Sequence, residues 1–155
     1  KELRSTKNQA RLMHMQPETA HRESYRIQGE TLITVDDYTS GRLFKDAVCY
    51  AFYPVDLHTR SGVRPKPLTR GKTPTVPLSA LVPKGSRNII VAGRCVSSDR
   101  LANSGLRVQA SCMAMGQAAG AAAALAAQSN TTPLKVPLEN IRKMLQKHQA
   151  IVPSA

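Results

Sequence analysis

The chain has 155 residues and a formal net charge of +12, with 22 Lys and Arg against 10 Asp and Glu. That length fits one domain of roughly 100–200 residues. The basic excess has two readings, a surface around an anion site or a nucleic-acid face, and the scattered cations and few aromatic residues disfavour the second. Cys49, Cys95 and Cys112 form no CxxC pair, which excludes zinc and iron–sulfur spacings. They read as buried thiols in a reducing compartment, and the cytoplasm is the expected location.

In chain order, residues 1–15 predict a helix with Leu3, Ala10 and Met13 on one face, ended by Pro17. Residues 24–34 read as extended, with Gly29 marking a turn between two strands. Thr34 is placed to cap a short helix with Asp36 and Asp37 in its first turn and Gly41 as its stop. Residues 47–55 predict a strand. Residues 56–75 form a long irregular stretch carrying Arg60, Arg64, Lys66, Arg70 and Lys72, and loops of that length are usually functional or disordered. Residues 76–83 read as a turn-rich connector, residues 129–133 as a linker, and residues 137–148 as a final helix. In that helix Glu139 lies in the first turn and Lys147 and His148 in the last, as the dipole favours.

Residues 88–120, NIIVAGRCVSSDRLANSGLRVQASCMAMGQAAG, carry the most information. Ile89, Ile90, Val91 and Ala92 form an unbroken apolar run, as in a strand covered on both faces. Gly93 ends it, either as a plain strand stop or where backbone approaches a ligand. From Val108 small apolar residues recur at helical spacing. Residues 110–127 are apolar enough to raise a membrane span of about 18–20 residues. The alanine-rich composition, Ser111 and Gln117 argue instead for a helix seated tightly on a sheet. Arg107 stands at the expected start of this helix, where a cation opposes the dipole. A bound anion or a nearby carboxylate such as Asp99 would explain it.

Two further groups can carry chemistry. His58 follows a strand and opens the basic loop, and histidine suits proton transfer near neutral pH. Asp56, two residues earlier, could orient it or accept a proton itself; the alternative is an ordinary surface turn. Arg22 and Arg26 share one side of an extended segment and could bind a substrate carboxylate, or bridge to Glu23 and Glu30. The chain contains no GxSxG element, HExxH pair or Walker loop, so hydrolase and phosphotransferase readings have no support.

The NIIVAGRC strand, the Ser-rich loop after it and the RVQASCMAMGQAAG helix resemble the C-terminal signature of FAD-dependent oxidoreductases of the glutathione-reductase-like superfamily. HRESYRIQGE, DDYTSGRLFKDAV, YPVDLH and VPLSALVPKG resemble that family's middle region. The resemblance implies an α/β, partial two-domain flavoprotein fold: the end of a substrate domain over residues 1–85, then the last strand and closing helices of an FAD domain over residues 86–155. It implies FAD as cofactor. Val108 and Gln109 would offer backbone N–H groups to the flavin, Gly93 and Arg94 would follow the ribityl chain and phosphates, and Arg107 would line the flavin or bind an anionic substrate. Hydride transfer with a small-molecule substrate is the implied reaction. The expected partners are the remainder of a parent chain and a second copy, with no membrane. None of the nine glycines forms the GxGxxG turn that cradles pyrophosphate in such proteins, so the chain reads as the C-terminal part of an enzyme, inactive alone. A non-catalytic polyanion-binding module is the alternative. Thr75 departs from the family, which often has an aromatic residue before the VPLSALVPKG-like stretch.

Overall fold

Thr34 starts the first helix. Its hydroxyl accepts from the Asp37 N–H at 3.2 Å, and the Asp37 carboxylate accepts the Thr34 N–H at 3.1 Å, a reciprocal capping box. The resulting α1, Val35–Ser40, ends at Gly41, whose φ of 69° closes the last turn as expected. The structure is a computed structural model that describes residues 25–59, 62–63 and 65–154. The predicted N-terminal helix and Arg22 lie outside the described residues.

Strand β1, Ala47–Tyr50, pairs antiparallel with β4, Thr75–Pro77, with a register irregularity between Ala47 and Cys49. The expected strand over 47–55 is therefore shorter, and part of the expected connector at 76–83 is its partner. The rest of that connector is a 3-10 turn, Leu78–Ala80. Thr75 is buried, its hydroxyl donating to the Arg42 carbonyl at 2.9 Å and accepting the Phe44 N–H at 3.2 Å. Its small polar side chain thus pins the turn between α1 and β1. The long basic stretch folds into a hairpin of β2, His58–Thr59, and β3, Gly62–Val63, with Val55 and Lys66 exchanging two backbone hydrogen bonds of 2.9 Å at its base.

The run at 89–92 is not a strand. Ile89 is 57% exposed, Ile90, Val91 and Ala92 are half-buried, and Val91 makes one backbone bond, to Leu81, at 2.8 Å. An apolar run becomes a strand only where neighbours offer a ladder on its edge, and here residues 27–33 take that place. They bond to Val82 and Ser79 on one side and to Cys95 and Ser97 on the other.

Helix α2, Arg100–Leu106, occupies what the sequence presents as loop, and α3, Gln109–Gln128, follows directly. At about 1.5 Å per residue, α3 is about 30 Å long. It is long and apolar enough to cross a membrane by length and composition, and it packs against β1 and α4. Helix α4, Leu138–Lys147, confirms the final helix and buries Ile141 and Leu145. The Arg142 guanidinium donates twice to the Ala47 carbonyl, at 2.9 and 3.1 Å, and so ties α4 to β1.

One core joins these elements: Ile33, Tyr38, Val48, Val76, Leu81, Val96, Leu106, Met115 and Ile141 are buried in a single cluster. Helices with two small antiparallel sheets make the described residues a mixed α/β fold.

The junction of α1 and α2 rests on Asp99. Its carboxylate accepts the Ala102 N–H at 2.8 Å, capping α2, and the Val35 N–H at 2.6 Å, capping α1. At roughly 1 kcal/mol per cap, Asp99→Ala is expected to cost about 2 kcal/mol, which thermal melts would register as a fall of about 4–8 °C. Gly105 faces Tyr38 so closely that a Cβ would lie 2.6 Å from the ring. Gly105→Ala therefore destabilises by about 1–3 kcal/mol despite alanine's higher helix propensity. A melt showing stabilisation would refute this packing.

Burial opposes ionisation of Asp37, but hydrogen bonds from Arg42 and Thr34 outweigh it and hold the carboxyl below its ordinary value. A depressed folded-state pKa stabilises the native state above the unfolded value, and that stability is lost as pH falls through the folded one. Below about pH 4 the native protein thus loses stability that Asp37→Asn never had, and the two melting curves should converge in acid.

Candidate functional site

The loop after the apolar run turns sharply at Gly93, whose φ is 86°. The Val96 N–H closes the turn on the Gly93 carbonyl at 3.1 Å. Buried Asn103 on α2 fixes the loop, donating at 3.1 Å both to the Arg94 carbonyl and to the Ser98 hydroxyl. Arg26 braces its far end through a 3.1 Å bond from Nε to the Ser98 carbonyl. Arg26 is thus engaged with the loop backbone.

Gly93 lies against the first turns of α3: a Cβ on it would sit 3.8 Å from Cβ and Sγ of Cys112. That spacing is ordinary contact, so the positive φ, not crowding, favours glycine. Val108 is the N-cap of α3 and provides no side-chain cap. Gln109 and Ala110 are exposed. The leading N–H groups of a 20-residue helix are therefore open to a polar or anionic group. Arg94 is exposed beside this point, and its guanidinium makes no hydrogen bond or ion pair within the described residues. Burial pushes the Cys112 thiol above its ordinary value, the nearby Arg94 charge partly counteracting it.

Arg107 does not open α3; it is the C-cap of α2. Its Nη2 donates to the Asp56 carbonyl at 3.0 Å and its Nε reaches the Ser104 carbonyl at 3.4 Å. The carboxylate that would have explained it, Asp99, meets backbone N–H groups instead. The Asp56 N–H donates to the Ser104 hydroxyl at 3.0 Å, and that hydroxyl donates to the Leu101 carbonyl at 2.7 Å. Asp56 is thus gripped by its backbone from α2, leaving its carboxylate free to meet His58, Nε2 to Oδ2, at 3.4 Å. Histidine and carboxylate stand as an oriented pair, the His58 side chain 47% exposed and Asp56 22%.

The fold therefore draws Asp56, His58 and Arg107 together and joins them through Val108 and Gln109 to the corner formed by Gly93 and Arg94. Sequence reasoning missed Ser104 and the helix that carries it; Asn103, read there as satisfying loop backbone groups, does so at the Arg94 carbonyl. Ser104 and Asn103 sit on a helix rich in residues that favour turns. Asp99, an acidic residue just before a short apolar stretch, was the one available signal of that helix.

The chain matches the profile of the FAD dependent oxidoreductase family over residues 3–145, and it belongs to that family. No curated protein and no solved structure matched it. The family places the chain among flavoproteins with a redox function, and FAD is its cofactor. The residues present fit one end of that cofactor: an open helix N-terminus, a left-handed glycine beside it and an arginine with no side-chain partner among the described residues suit a polar, partly anionic group.

Thiol labelling tests the corner. Burial pushes the Cys49 thiol up to about 12, so it stays protonated at pH 8 and out of reach. Iodoacetamide is expected to spare Cys49 in the folded chain, and Cys112 should label more slowly in the flavin-loaded enzyme than in the flavin-free one, with Cys49 spared in both, as read by peptide mass spectrometry.

Proposed function

We propose that this chain carries the flavin end of a hydride-transferring FAD-dependent oxidoreductase of the glutathione-reductase-like superfamily, acting on a small-molecule substrate. The observation that carries the reading is the uncapped start of α3 beside Gly93, linked through Arg107 to the Asp56–His58 pair. Val108 and Gln109 hold the polar edge of the ring system through backbone N–H groups, and Gly93 and Arg94 follow the chain leading to the phosphates. When bound, FAD supplies the hydride-carrying ring.

In this reading His58 moves a proton to or from the substrate at Nδ1, and Asp56, which faces Nε2, orients the imidazole and stabilises its charged form. Arg107 and Ser104 are positioning residues that keep Asp56 in place by its backbone. Arg26 braces the cofactor loop rather than touching substrate, and Arg22 remains a candidate for a substrate carboxylate. Residues 1–85 belong to the substrate side and residues 86–155 to the cofactor side, and the enzyme works in the cytoplasm. We read α3 as a packing helix, because it lies on β1 and α4. Its exposed small-residue face, with the half-exposed run at 89–92, is assigned to contact with further parts of the flavoprotein. The polyanion-binding alternative has no specific observation in its favour.

No GxGxxG turn lies in these residues, so the pyrophosphate is held elsewhere in the enzyme. The purified chain is then expected to take up FAD weakly or not at all. A stoichiometric flavin band between about 350 and 500 nm would overturn that assignment. In the flavin-loaded enzyme, His58→Gln is expected to lower kcat by about 10²-fold or more, with the flavin spectrum unchanged. A variant with wild-type kcat would remove His58 from the chemistry.

A further inference from the structure

The two stretches that flank the hairpin carrying His58 wall a groove of about 560 Å³. One wall is Phe52, Tyr53 and Pro54; the other runs from Pro67 to Thr73. These two stretches flank the Val55–Lys66 pair at the hairpin's base. Phe52 is 74% exposed and Tyr53 39%, unusual for large rings unless they face something apolar. Among the described residues Arg70 and Lys72 supply the only charges on the lining, and neither makes an ion pair there. The groove is held open from below: buried Tyr38 donates from its hydroxyl to the Tyr53 carbonyl at 2.8 Å, and the Thr69 N–H donates to the Thr39 carbonyl at 2.9 Å. Both walls thus hang on neighbouring residues of α1.

Aromatic walls with two cations and, among the described residues, neither an ion-pair partner nor an acid on the lining recognise a ligand with a flat apolar body and a negative end. We propose that this groove binds an aromatic carboxylate. Tyr53 is three residues from Asp56, at most about 10 Å of chain, so the groove's aromatic wall lies within that reach of Asp56. That this ligand is the substrate rests on the function proposed above; the binding itself does not.

The probe is 2-naphthoate, titrated into the chain and followed by its fluorescence, with neutral 2-naphthamide as comparison. The acid is expected to bind roughly tenfold or more tightly than the amide. Arg70→Gln combined with Lys72→Gln should remove that preference, and Phe52→Ala should weaken both ligands. All these substitutions are on exposed side chains, and melting curves verify that the variants remain folded. Equal affinity for acid and amide, no saturation by about 1 mM, or binding indifferent to Phe52→Ala would each overturn the proposal. Naphthoate binding that passes these tests, together with full turnover in His58→Gln, would leave the groove standing and sink the catalytic reading alone.

Discussion

A single carboxylate sets the relation between the two short helices on which the site depends. Asp99 caps α2 with one oxygen and the first turn of α1 with the other, while its own N–H donates to the Ile33 carbonyl at 2.9 Å. Neither helix, at six and seven residues, would persist alone, since isolated helices that short are not stable in water. Each therefore borrows its stability from the junction and from the core beneath it, where Tyr38 fills the space that Gly105 leaves.

What the junction carries outward is backbone position. From α2, Ser104 and Arg107 hold the two peptide groups of Asp56, and Asn103 holds the carbonyl of Arg94. From α1, Tyr38 holds the carbonyl of Tyr53. Two separate loops, around residues 53–56 and at Arg94, are fixed by side chains of one helix pair, all through main-chain atoms. This leaves the loop side chains free for a ligand: the Asp56 carboxylate faces His58, Arg94 faces outward, and Phe52 and Tyr53 face the groove. The long α3 adds the open N-terminus and the mass of small residues that lets β1 and α4 approach closely.

The parts legible in sequence were those with local physical causes. Thr34 and Asp37 encode the start of α1, Gly41 its end, and the spacing of Leu138, Ile141 and Leu145 encodes α4. The start of α3 near Val108 was legible as the onset of helical spacing. Helix α2 was not, because Asn103, Ser104 and Gly105 favour turns and are helical here through burial and the Asp99 cap. The run at 89–92 misled in the opposite direction. Its composition suits a covered strand, but pairing is decided by which segment lies alongside, and residues 27–33 occupy that place.

The sequence by itself determined the family, the cofactor it implies, and the residue types that can serve it, because a long ordered pattern around NIIVAGRC and RVQASCMAMGQAAG survives without reference to geometry. It also determined that Asp56 and His58 stand close together, two residues apart. Only the tertiary structure decided what Arg107 does, since its partner is a carbonyl 51 residues away. It alone showed that Phe52, Tyr53, Arg70 and Lys72 share one groove. Those associations depend on hydrogen bonds to distant backbone carbonyls, which every residue offers and which leave no mark on side-chain pattern.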